Sequence, residues 1–217
     1  LPSLSLPDRY LPFSSIGKSF AENNICEMGY AVSKIYARSI IEEFSIRFDE
    51  NIHCLEDLLF MYQYLLHCDY LVLNHMQNYV YVKHSFSLSH RIHSFESEYC
   101  CFVKYQQLLA EMMKVWKIPA GDMVVTVNSM LVPFRRALKS DYQPDRTIPR
   151  EMRVKHLKRM ISESRDVFLK YYHPVFKTDK LGKVLLGFNC YILYDFYIRL
   201  LFRLNIGPVF YGPKHMY

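Results

Sequence analysis

The hydrophobic pattern of this chain changes period several times, and each change marks an expected element. From Leu55 the apolar residues fall at Leu55, Leu58, Leu59, Tyr62, Leu65 and Leu66, the i, i+3, i+4, i+7 spacing that predicts one helix over 55–68. A second stripe at Phe95, Tyr99, Phe102, Tyr105, Leu109 and Met112 predicts a helix over 95–117, ended by Pro119-Ala120-Gly121. Asp122 is placed to cap the next helix, which runs towards Leu138. Ser140–Pro149 reads as a linker, 150–172 as a basic amphipathic helix, and 181–204 as one strongly apolar helix. Shorter runs are extended: Ala31–Tyr36, then Tyr70–Leu73 and Val80–Val82 with the β-branched and aromatic character of strands. Arg38–Phe44 reads as a short helix. Residues 1–20, with Pro2, Pro7, Pro12, Ser14 and Ser15, read as loop. The composition shift at Ser94 divides the chain into an α/β part, residues 1–93, and an all-helical part, residues 94–217.

The last apolar run has the length of a membrane span. Yet Asp195, Arg199 and Arg203 recur at i, i+4 and i+8, and three charges near mid-span are costly in lipid. A buried or partner-facing helix is the first reading, an interfacial helix on a membrane the second, and a true span the last. The basic positions of the preceding helix, Arg150, Arg153, Lys155, Lys158 and Arg159, belong with an interfacial reading or with a solvated face.

Composition sharpens this picture. Apolar residues make up 51% of the 217 and aromatics 16%, with only 7 glycines, so a packed protein is expected. The formal charge of +6 suits an anionic partner. Aromatics follow the helical core period and do not interleave with Lys and Arg, so no nucleic-acid partner is expected. Six cysteines show no C-x-x-C pair and read as reduced thiols of a cytoplasmic protein. His75, His84, His90 and His93 cluster in sequence but lack the H-x-x-x-H spacing of a helical zinc pair.

Two carboxylates, Glu56 and Asp57, stand at the start of the first periodic helix. Carboxylates are favoured there by the helix dipole and by the orphan N–H groups of the first turn, which is reason enough for the pair. Their surroundings add a second reading. I-R-F-D-E followed by E-D-L-L-F, within Ser45–Phe60, resembles the acceptor-side signature of bacterial family 2 inverting glycosyltransferases. Gly29–Ile41 (G-Y-A-V-S-K-I-Y-A-R-S-I-I) resembles that family's W-N-K-L-Y-R-x-x-I-I segment, with Val32 and Ser33 where Trp and Asn are usual. Tyr79–Ser89 (Y-V-Y-V-K-H-S-F-S-L-S) resembles its Y-x-Y-x-x-H-x-x-S-x-S segment. The likeness covers about residues 25–93.

The resemblance implies a GT-A-like α/β domain of which residues 1–93 are the acceptor-side half, since neither the V-x-V-x-x-P-x-Y-N strand nor the D-x-D metal motif occurs in this sequence. It implies sugar transfer with inversion from a nucleotide-sugar donor to a glycan or lipid-linked acceptor. Asp57 is then the general base and Glu56 positions the acceptor or the base. Lys34, His84, Ser87 and Ser89 are substrate-binding, and His84 is also a candidate ligand to Mg²⁺ or Mn²⁺, whose main ligand would come from the absent half. The implied location is the cytoplasm, with peripheral contact to the inner face of the cytoplasmic membrane. The chain alone is expected to be inactive. The competing reading, of another class, is a non-catalytic helical binding module at a membrane surface or an oligomer interface.

Overall fold

A computed structural model describes residues 8–22, 25, 31–75, 80, 82, 93–118, 131–142, 147–165, 169, 173–174 and 176–204. These residues are mainly helical, with one two-stranded antiparallel sheet. They fall into two compact units, and a single long helix contributes its first half to the second unit and its second half to the first.

The first unit begins with β1 (Arg9–Pro12) running into α1 (Phe13–Glu22), where the composition predicts loop. Proline and serine start helices as readily as they fill loops. Here Ile16 and Phe20, one turn apart on α1, are both fully buried. After α2 (Arg38–Glu43) and α3 (Glu56–Leu65), β2 (Tyr70–Leu73) pairs with β1 so that Arg9 faces Leu73 and Pro12 faces Tyr70. Ala31–Tyr36 contains no strand, because Ser33 turns the backbone into the left-handed region (φ 61°) and breaks the extended run. Val80 and Val82 are not in a strand either, and Tyr81 lies outside the described residues. The core gathers Ile16 and Phe20 of α1, Leu58, Leu59, Tyr62 and Leu65 of α3, and Leu109 and Met112 of the long helix α4 (Phe95–Val115). At Gly17 α1 comes so close to the end of α4 that an added Cβ would stand 2.5 Å from Trp116 Cβ.

The second unit holds the first half of α4, α5 (Leu131–Tyr142), α6 (Arg150–Ser164), α7 (Lys177–Gly187) and α8 (Tyr191–Arg203). The expected stripe of α4 is buried throughout, as its period requires. Helix α5 continues past Leu138 to Tyr142 and takes up the first residues of the expected linker, while Asp122 lies outside the described residues. The expected continuation of α6 to Tyr172 falls mostly outside them too.

The largest departure from the pattern is at 181–204, which forms two helices and not one. Asn189 adopts φ 56°, Asn189 N–H donates to Leu186 O (3.1 Å) and Cys190 N–H donates to Leu185 O (2.8 Å). Those two bonds are the Schellman arrangement, and asparagine is the residue besides glycine that best tolerates the left-handed position. The same pair of bonds ends α2 at Ser45 (φ 50°) and α4 at Lys117 (φ 53°). Arg165 locks the α7–α8 turn by donating to Asn189 Oδ1 (2.7 Å) and Gly187 O (2.8 Å). The two helices then fold back on each other: Tyr197 Oη donates to Thr178 O (3.1 Å), and a Cβ at Gly182 would meet the Tyr194 ring at 3.2 Å. This register is that of an antiparallel hairpin. Among the described residues no helix is long and apolar enough to cross a membrane.

Asp195 does not share a solvent-facing stripe with Arg199 and Arg203. It is 2% exposed and accepts from Arg153 Nε (2.7 Å), Arg153 Nη2 (3.0 Å) and Tyr142 Oη (2.7 Å). Arg153 completes its fork on Ile148 O. The basic face expected on α6 is correspondingly reduced: Arg153 is buried, and Arg159 lies over the Tyr99 ring (4.0 Å) and donates to Glu96. Burial would raise the Asp195 carboxyl, but the hydrogen bonds from Arg153 and Tyr142 outweigh it and hold it below the usual carboxylate range. A group so depressed stabilises the fold above its unfolded pKa of about 4, and that stability is lost as pH falls through the lower folded value.

Breaking a buried pair from one side strands a charge, whereas removing all partners together does not. Arg153→Met is therefore expected to destabilise by about 3–5 kcal/mol in chemical denaturation. Combining it with Asp195→Leu and Tyr142→Phe is expected to recover most of that loss.

Candidate active site

The expected helix start is where the pattern places it. Glu56 and Asp57 occupy the first turn of α3, and both are half-buried. No side chain caps this helix. Leu55, at the N-cap, adopts φ 68° with its carbonyl accepting from Leu59 N–H (3.1 Å). A left-handed leucine is strained, and the chain holds it only because the residues that follow are locked into the core. Leu58, Leu59, Phe60, Met61 and Tyr62 are all buried, so α3 is enclosed almost all round and not on one face as its stripe suggests.

That enclosure governs the chemistry of Asp57. Burial raises its carboxyl above the usual range, and the neighbouring charge of Glu56 raises it further. Backbone N–H groups of Leu58, Ala31 and Asp57 itself pull the other way, with Leu58 N–H donating to Asp57 Oδ1 at 2.8 Å. Among the described residues neither Glu56 nor Asp57 forms an ion pair.

The Ala31 contact shows that the 31–36 segment lies against the start of α3. Lys34 is part of the same cluster: burial lowers its ammonium pKa, and the Asp57 charge raises it. Its Nζ donates to Val32 O at 3.5 Å. Tyr36 was not singled out by the pattern, yet it is the most constrained member. Its ring meets Phe60 (5.3 Å, 86°) and Tyr64 (4.9 Å, 81°) edge to face, and Tyr64 Oη accepts from Ala37 N–H at 2.8 Å. Its hydroxyl is buried with no hydrogen-bond partner among the described residues. Burial and the charge of Asp57 push the phenol up to about 12, so it stays a donor at neutral pH. The signal for it was present in the tyrosine that ends K-I-Y, but only the fold shows that its hydroxyl is unmatched.

Of the expected site residues, then, Lys34, Glu56 and Asp57 come together. His84, Ser87 and Ser89 lie outside the described residues. His75 belongs elsewhere, its Nδ1 2.9 Å from Asp8 Oδ2. Among the described residues no group of three or more His, Cys, Asp or Glu side chains is placed to hold a metal ion. No protein-family description, curated protein or solved structure matches this chain.

The Asp57 carboxyl is expected to titrate, by carbon-13 NMR of the side chain, with a midpoint above the ordinary value of about 4. Glu56→Gln removes the like charge and moves that midpoint down.

Proposed function

We propose that the first unit is the acceptor side of an inverting sugar transferase, with Asp57 as general base. The observation that supports this most is the half-buried carboxyl of Asp57, raised by its surroundings, without an ion pair among the described residues and beside Lys34 and Tyr36. A structural carboxylate at a helix start is usually solvated or paired; a base needs its pKa nearer the working pH. Two of the three segments that resemble family 2 glycosyltransferases, 29–41 and 45–60, supply this cluster, which adds to the reading.

In such a transfer the acceptor hydroxyl attacks the anomeric carbon as the bond to the nucleoside diphosphate breaks on the opposite face, the diphosphate leaving with the electron pair. Asp57 takes the hydroxyl proton as the new bond forms. Tyr36, its ring held edge to face by Phe60 and Tyr64, walls the site beside Asp57 and keeps its surroundings apolar. Lys34 balances negative charge near the donor phosphates, and Glu56 keeps Asp57 basic. On this reading the first unit belongs to a GT-A-like α/β domain whose nucleotide-binding half carries the D-x-D. Mg²⁺ or Mn²⁺ held there would neutralise charge on the leaving diphosphate. A lipid-linked glycan acceptor would place the protein on the inner face of the cytoplasmic membrane as a peripheral protein.

The second reading, a non-catalytic binding module, draws on a different observation: the outer face of the α7–α8 hairpin exposes Phe188, Ile192 and Phe196. The two readings part on one measurement. With this chain joined to a nucleotide-binding half, Asp57→Asn is expected to lower turnover by roughly 10²-fold or more while leaving donor affinity nearly unchanged. The acid limb of kcat/KM should fall as pH drops through the raised Asp57 value and shift down in Glu56→Gln. Parallel loss of donor affinity and turnover would leave Asp57 a structural residue.

A further inference from the structure

The α7–α8 hairpin has an outer face unlike the rest of the second unit. Val184, Phe188 (77% exposed), Ile192 (61%), Leu193, Phe196 (67%) and Leu200 are exposed, where helices of this length ordinarily present polar groups. Among them stand exposed Lys177, Lys180, Arg199 and Arg203. The two acids of the hairpin are both withdrawn: Asp179 accepts from Arg135 Nη2 (2.7 Å) with a tenth of its side chain exposed, and Asp195 is buried on Arg153. The solvent side of both helices therefore carries apolar groups and cations, with no exposed carboxylate.

We infer that this face docks on an anionic lipid surface, the hairpin lying flat at the headgroup boundary with Phe188 at its turn and Phe196 at mid-helix inserted. The inference rests on the membrane part of the proposed function and is independent of sugar transfer. Charge decides the occupant. A second copy bound through the same face would bring the cations Lys177, Lys180, Arg199 and Arg203 of both copies into one interface, with no exposed carboxylate of the hairpin to relieve them. Anionic headgroups neutralise all four while the acyl boundary covers the apolar groups. The helices are of 11 and 13 residues, too short to span, which fits an in-plane position. Tyr194 takes no part, since it is buried, and Tyr197 is only partly exposed with its hydroxyl on Thr178 O.

Co-sedimentation of the 217-residue chain with phosphatidylcholine vesicles containing about a third phosphatidylglycerol tests this, against pure phosphatidylcholine and at rising salt. Binding is expected to the anionic vesicles, weakened about tenfold or more by salt, by Phe188→Ser/Phe196→Ser and by Lys180→Glu/Arg203→Glu. All four side chains are exposed or at the surface, so circular dichroism and thermal unfolding should match the parent chain. Val72→Ser, an exposed apolar position of the first unit, is expected to leave binding within about twofold, and Asp57→Asn likewise. Equal weakening by Val72→Ser, absence of vesicle binding, or a dimer in sedimentation velocity that Phe188→Ser/Phe196→Ser dissociates without any vesicle binding would each overturn the proposal.

Discussion

The link between Arg153 and Asp195 sets the arrangement of the second unit. One carboxylate, two nitrogens of a guanidinium and one phenol, all buried, join α5, α6 and α8 at a single point. Its geometry is bidentate, and the third guanidinium nitrogen donates to Ile148 O, so the charge is neutralised and each of the three nitrogens has an acceptor. This link fixes the rotation of α8 about its own axis. With Tyr194, Asp195, Ile198 and Leu201 turned inward, the residues between them have nowhere to go but out. The exposed apolar face of the hairpin is thus a consequence of spending a charged residue on the interior.

A comparable trade operates in the first unit. Helix α3 is enclosed so completely that its first turn shares the low-dielectric surroundings of the core, and a carboxylate placed there loses solvation. An ordinary helix-start aspartate would be indifferent to its neighbours. Here the position of Glu56 one residue away, and the backbone N–H groups of Leu58 and Ala31, decide how far the shift goes. Tyr36 is held by rings on two sides and has no freedom to find solvent for its hydroxyl.

Local signals in the sequence were reliable where the structure is local. The α4 stripe, the first-turn position of Glu56 and Asp57, the short helix after Ala37 and the strand at Tyr70–Leu73 follow from periodicity and propensity alone. What could not be read depends on partners distant in sequence or on a backbone angle no pattern encodes. Strand β1 exists because Arg9 pairs with Leu73, so Pro and Ser nearby mislead. The break in 181–204 turns on Asn189 adopting a left-handed angle amid continuous apolar residues, where a glycine would have announced it. Asp195 reads as one of a polar stripe with Arg199 and Arg203 until Arg153 is seen beside it. Of the candidate site, Glu56, Asp57 and Lys34 were legible by type and order, whereas the unmatched hydroxyl of Tyr36 needed the packing of three aromatic rings.

The hairpin also bears on how the second unit assembles. Three residues connect its helices, so closing it costs little chain entropy and can occur early. The contact that orients it spans 42 residues and must come later. In between, a formed hairpin displays both its future interior and its permanent apolar exterior, with Asp195 as the sole carboxylate of α8 to keep it in water. A chain whose hairpin has closed before Arg153 docks would be open to association on two sides at once, and docking of Arg153 covers only the inner one.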